Sequence, residues 1–147
     1  MSQHAAALKL WVVLARAHAA VDARLQASVS EHDLTLTEFG ILEVLHHKGP
    51  LLLGEVQRRV LVSSGGVTYL VDRLTQKGLV ERRECPQDRR ARYAALTAEG
   101  EALIGRIFPE HAEVIEEVMS ALTPEEQREA TRLLRRLGRS AAGLDEP

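Results

Sequence analysis

The sequence predicts a mainly α-helical fold with one small β-hairpin. Apolar residues recur at helical spacing over most of its 147 positions. Gly and Pro punctuate these stretches, at "KGP" (48–50), Gly78 and Gly138. One segment breaks the pattern: "LVERRECPQDRRARYAALT" (79–97) sets short apolar ends around a proline turn crowded with Arg82, Arg83, Arg89, Arg90 and Arg92.

The elements follow in order. Residues 5–29 read as a long helix that is apolar over much more than one stripe, as helices buried on several sides are, often against a second subunit. A second helix opens at "TLTE", where Thr35 caps and Glu38 closes a capping box. Its buried face is expected at Phe39, Leu42, Leu45 and His46. "LLLGEVQRRVL" (51–61) gives a brief extended piece and a short helix. The next helix has Ser63 or Ser64 as its N-cap and stops at Gly78, with Val67, Leu70, Val71 and Leu74 facing inward. In the hairpin only Leu79, Val80, Ala95 and Leu96 look anchored, so its distal part projects. Thr97 then caps a helix to about Ser120, with Pro109 inside it as an expected kink. "TPEE" opens the last helix, with a Leu133, Leu134 and Leu137 stripe, a stop at Gly138 and a frayed tail.

Composition narrows the class. Aromatics are few, so aliphatic residues supply the core, and no apolar run is long enough to span a bilayer. With one cysteine, Cys85, there is no internal disulfide framework; this and the lack of a signal-peptide pattern make a cytoplasmic location the expectation. The net charge of −2 hides an asymmetry: Leu51–Thr97 holds nine basic against five acidic residues, and the rest of the chain ten against sixteen. A basic middle in an acidic frame points to a surface for a polyanion. Enzyme chemistry finds no support: no glycine-rich phosphate loop, no nucleophile elbow, and no His near Cys85 in sequence. The six histidines have no convincing metal-site spacing, and no cofactor is implied.

Two helices joined by a short turn and followed by a two-stranded ribbon make a winged helix-turn-helix. Here the winged lobe (34–97) lies between helices, 5–33 and 98–138, that read as a dimerisation layer, with 139–147 as a flexible tail. A recognition helix needs small or polar groups where it meets base edges in the major groove, as Ser63, Ser64, Gly65 and Thr68 provide. Tyr69 and Gln76 face outward for base or backbone, and Arg73 and Lys77 suit phosphates. In the wing, Asp88 is placed to hold a neighbouring guanidinium while Arg90 enters the minor groove, where the negative potential favours Arg. Arg82, Arg83 and Arg92 are expected to line flanking phosphates, and Arg89 completes the basic hairpin. A winged helix that binds proteins instead would present an apolar or acidic surface, not this basic one.

The run from Leu34 to Leu103 resembles the MarR family of bacterial winged-helix regulators. The resemblance rests on "LTLTEFGILEVL", "SSGGVTYLVDRLTQKGLVER" and above all "DRRARYAALTAEGEAL". It implies a homodimer on a pseudo-palindromic double-stranded DNA operator, usually a repressor released by a small ligand or by oxidation. It also implies the pairing and insertion of Asp88 and Arg90, and an effector site between the dimer helices and the DNA-binding lobe. Candidates there are Trp11, His18, Phe39, His46, Phe108 and His111, with core packing the plain alternative for Trp11 and Phe39. Trp11 resembles a feature of urate-responsive relatives, but Ser63 and Ser64 stand where their pattern wants an acidic residue. "ECPQDRR" and "RIFPEH" look closer to relatives that answer phenolic or quinone compounds. Redox sensing through Cys85 is an alternative; the chain holds no resolving partner, nor the first-helix cysteine on which oxidation-sensing relatives rely.

Overall fold

The structure, a computed structural model, describes residues 2–60 and 64–144. Among them the order is α1 (Gln3–Ser30), α2 (Leu36–Lys48), β1 (Leu51–Leu52), α3 (Leu53–Val60), α4 (Ser64–Gln76), β2 (Val80–Cys85), β3 (Asp88–Leu96), α5 (Ala98–Met119) and α6 (Pro124–Ala141). The chain forms two compact units, residues 1–112 and 113–147.

Local chemistry sets the helix boundaries. Thr35 accepts the Glu38 N–H at 3.1 Å while the Glu38 carboxylate accepts the Thr35 N–H at 3.0 Å, closing the expected capping box. Gly49 and Gly78, both at φ 77°, end α2 and follow α4 in a left-handed conformation that a Cβ would strain. Thr97 caps α5 by accepting the Gly100 N–H at 3.0 Å, and its hydroxyl donates to the Gly78 carbonyl at 2.6 Å. One threonine thus joins the start of α5 to the turn after α4. Pro109 lies inside α5, which runs unbroken from Ala98 to Met119.

The sheet is antiparallel, in the order β1-β3-β2. The brief extended piece at 51–52 is its third strand, pairing Leu51 with Ala94 and Leu52 with Tyr93. The hairpin pairs Val80 with Leu96 at its base and Cys85 with Asp88 at its tip, with a bulge at Glu84/Cys85. Ala94, Ala95 and Leu96 are all buried in succession, so the period-two alternation fails at the end of the middle strand β3. Ala94 is therefore an anchor that the sequence pattern missed.

The core of the first unit joins α2, α3, α4, the hairpin base and the first half of α5: Phe39, Ile41, Leu42, Leu45, Val56, Val71, Leu74, Val80, Ile104 and Ile107 are all at most 2% exposed. The inward face of α4 is as expected at Val67, Val71 and Leu74, with Leu70 half-buried.

Three expectations need correction. His46 is half-exposed rather than part of the buried face of α2, because its ring turns to Glu101 in the first turn of α5; Glu38 and Ile41 are buried instead. Trp11 is not core: it is 64% exposed, and α1 buries only Val29 within this single chain. Finally, α6 passes through Gly138 to Ala141, and the left-handed glycine beyond it is Gly143 at φ 71°. An isolated glycine lowers helix propensity by only about 1 kcal/mol, too little to stop a helix held by its Thr123 capping box. Residues 139–141, placed with the tail from sequence, are therefore helical.

Candidate nucleic-acid interface

The α4 helix presents a polar outer face. Thr68, Tyr69, Asp72 and Gln76 are exposed opposite the buried stripe, so the helix is fixed by its apolar side and free to meet a groove with the other. Ser63 lies outside the described residues. Ser64 and Gly65 lie in the first turn of α4.

Two cations assigned from sequence to phosphates have partners within the protein. The Lys77 ammonium donates to the Asp33 carbonyl at 2.6 Å and to the Glu38 carboxylate at 3.0 Å. Arg73 Nε lies 3.7 Å from the same carboxylate, and its Nη1 donates to the Tyr69 hydroxyl at 3.3 Å. Its guanidinium also lies 5.8 Å from the Tyr69 ring centre. Tyr69, with Glu38 behind it, holds the Arg73 guanidinium above its ordinary pKa. For Glu38, burial pushes the carboxyl up, but the Thr35 N–H and the Lys77 ammonium outweigh it and the net shift is downward. The sequence showed Glu38 only as a capping residue, since nothing local reveals a bond between positions 38 and 77.

The wing is fastened to the same helix. Arg82 Nη2 meets Asp72 Oδ1 at 2.7 Å, which ties β2 to the outer side of α4. Arg83 pairs with Glu81 at 2.8 Å along its own strand, and Arg92 lies 3.8 Å from Glu84 across the hairpin. Asp88 Oδ1 accepts the backbone N–H of Arg90 at 2.9 Å. The carboxylate thus fixes the main chain at the wing tip; the Arg89 side chain, one of the guanidinia that the sequence offers it, lies outside what the structure describes. Arg90 is exposed, and Arg89 belongs to β3. A cleft of about 390 Å³ lies beside residues 90–92 of β3 and the start of α3, lined by Arg58, Arg90 and Arg92 together with Glu55, Leu52 and Leu53; Arg58 pairs with Glu55 there. Arg58 is the member that sequence reasoning missed, because α3 carries no motif of its own. Cys85 is half-buried beside Tyr93, whose phenol it pushes up in pKa through charge and a hydrogen bond.

The effector candidates divide. Phe39 and His111 come together, with ring centres 4.3 Å apart. His111 Nδ1 lies 3.4 Å from Ser28 Oγ, whose hydroxyl already donates to the Leu25 carbonyl, so Nδ1–H is the donor to Ser28. Burial lowers the His111 pKa, against a smaller upward pull from Glu43. His46 and Phe108 meet through His47, which the sequence reading had not selected; its ring centre is 5.2 Å from that of His46 and 5.1 Å from that of Phe108. Trp11 and His18 are exposed on α1. Among the described residues no helix is long and apolar enough to cross a membrane.

Known proteins share this sequence pattern and geometry. Residues 32–91 match the MarR family. The chain is 41% identical over 134 residues to the HTH-type transcriptional regulator MhqR of Bacillus subtilis (strain 168), covering 91% of this chain and 92% of that protein. Its fold is similar to that of a cysteine-to-serine mutant of MarR from E. coli complexed with operator DNA, with a TM-score of 0.84 at 24% identity over 93% of this chain and 99% of that one. It is also similar to Bordetella bronchiseptica BpsR, described with a mechanism for regulation of DNA binding by 6-hydroxynicotinic acid: TM-score 0.81, 25% identity, 88% and 98% of the two chains. The protein belongs to the MarR family of winged helix-turn-helix, DNA-binding transcriptional regulators.

Proposed function

We propose that the protein is a homodimeric repressor of a pseudo-palindromic operator, released by a small phenolic or quinone-like compound. The observation that carries the DNA-binding half is the joint presentation of α4 and the wing, locked to each other by Arg82–Asp72 at 2.7 Å. In this reading α4 enters the major groove with Ser63, Ser64, Gly65, Thr68, Tyr69 and Gln76 toward the bases, and Arg90 enters the adjacent minor groove. Arg58, Arg83, Arg89 and Arg92 meet phosphates, while Arg73, Lys77, Arg82 and Asp88 hold the elements that make the contacts. Support for an aromatic effector comes from the Phe39–His111 pair, which places a ring face beside the unprotonated Nε2 of His111, an acceptor for a hydroxyl group, and from the hydroxylated aromatic acid that regulates BpsR.

The test is a fluorescence-anisotropy titration with the DNA upstream of the protein's own gene, at several salt concentrations, beside unrelated DNA. Site-dependent binding that weakens steeply with salt is the expected result. Arg90→Ala should weaken operator binding by about tenfold, a groove contact being worth ~1–3 kcal/mol, and leave the oligomeric state unchanged. An unaltered Kd in that variant would remove the wing from the interface. Adding hydroxylated aromatic acids and quinones to the complex then tests release, and no effect from any of them would refute that effector class.

A further inference from the structure

The most unusual group in the first unit is the carboxylate of Glu38. It is fully buried, and a buried carboxylate is retained at a cost unless it is paired and hydrogen-bonded. Its capping role accounts for one oxygen: Oε1 accepts the Thr35 N–H. The other oxygen faces α4, 3.0 Å from Lys77 Nζ and 3.7 Å from Arg73 Nε. Lys77 also donates to the Asp33 carbonyl, just before the α2 cap, and Arg73 continues to the hydroxyl of exposed Tyr69. An unbroken set of polar contacts therefore runs from the N-terminus of α2, through one buried carboxylate, to the outer face of the helix that meets DNA.

We propose that Glu38 is a positioning residue for operator recognition. Its carboxylate fixes the rotation and depth at which α4 presents Tyr69 and its neighbours, by holding the side chains of Lys77 and Arg73 against the cap of α2. The proposal rests on the reading of α4 as the recognition helix. Apolar packing alone does not fix a helix about its own axis to better than the play of its side chains; a directed ion pair at the C-terminal end of α4 removes that play. The same geometry changes the role of Lys77. Its ammonium is spent inside the protein, so it contributes little to the count of neutralised phosphates. Glu38 also adjoins Phe39, whose ring packs against His111 at a tilt of 46°, so a displacement of that ring moves the backbone that carries the carboxylate. Effector occupancy near Phe39 would then be felt at α4 through Glu38.

The test compares Glu38→Gln, Lys77→Gln and the double variant. Gln retains the acceptor needed by the capping box, and the double variant leaves no unpaired charge, so it keeps the test open if a single variant folds poorly. Each is measured for thermal stability, for operator Kd against unrelated DNA, and for the slope of log Kd with log salt. If Glu38 positions α4, Glu38→Gln weakens operator binding about tenfold or more while binding to unrelated DNA and the salt slope stay at wild-type values. The double variant is then no worse than the weaker single one, because the two residues act as a unit. Two outcomes overturn the proposal: wild-type operator affinity in folded Glu38→Gln, or a salt slope reduced by about one in Lys77→Gln, the signature of a direct phosphate contact. Gln76→Ala and Thr68→Ala, on the exposed face of α4, separate the two readings. If neither disturbs operator binding, α4 is not the recognition helix and the proposal falls with that reading; if they do and Glu38→Gln does not, only the positioning role fails.

Discussion

Gly100 stands in the first turn of α5, where a Cβ would sit 2.0 Å from the Leu79 carbonyl oxygen. That carbonyl is itself fixed, accepting the Thr97 N–H at 3.1 Å, so neither side has room to yield. Gly100→Ala should destabilise the fold by about 3 kcal/mol, the upper part of the usual overpacking range, and a melting curve checks it. His111 makes a different demand. Its buried ring is held neutral, with a pKa below the ordinary 6.5. The unfolded chain therefore takes up this proton first as pH falls. The stability tied to neutral His111 is fully present above about pH 6.5 and is lost as pH drops through the lowered folded pKa. His111→Asn should flatten the fall of melting temperature between pH 7 and pH 5; an unchanged pH profile would show that His111 does not set it. The residue scale is also where the sequence was least legible. Glu38 and His111 look like surface residues in the linear pattern, and only contacts across 39 and 83 positions explain their burial.

At the scale of elements, capping chemistry was legible almost in full. The boxes at Thr35 and Thr123 are present with both of their hydrogen bonds, because each needs only residues three apart. Thr123→Ala should cost about 1 kcal/mol and fray the first turn of α6, measurable as lost amide protection at Glu126. The strands were legible in part. The hairpin announced itself through Pro86 and its flanking apolar pairs, but β1 is two residues long, and nothing local identifies its partner as β3. The backbone hold of Asp88 was hidden for a related reason. Its preference for a neighbouring arginine is visible in sequence, whereas the bond it accepts from the backbone N–H of Arg90 depends on the turn geometry. Likewise Arg82 reads as a phosphate contact until α4 brings Asp72 beside it.

At the scale of the whole molecule, the chain leaves much apolar surface uncovered. On α1, Leu8, Leu10, Trp11, Val12 and Val13 are 42–65% exposed, and on α6 Leu133, Leu134 and Leu137 are 41–49% exposed. Apolar surface on this scale marks interaction faces in a stable protein, and each terminal helix carries one of its own, as the proposed homodimer requires. Sedimentation should give a dimer at micromolar concentration. Leu134→Glu, on a helix with no buried residue in the single chain, should shift the protein toward monomer and lose high-affinity operator binding, because a pseudo-palindrome is read by two lobes at once.

The sequence by itself determined the order and kind of the elements, their caps, the basic hairpin and the family. All of these depend on spacing along the chain, which sequence contains directly. Tertiary structure decided what the charges do. Of the arginines and lysines marked for DNA, Arg73, Lys77, Arg82, Arg83 and Arg92 all lie beside acidic side chains of the lobe, and Arg58, itself paired with Glu55, joins the cleft from a helix without a motif. A positive charge looks the same in sequence whether it meets a phosphate or a buried carboxylate. Which one it finds depends on groups brought within about 4 Å by folding, where the Coulomb interaction and its screening are decided.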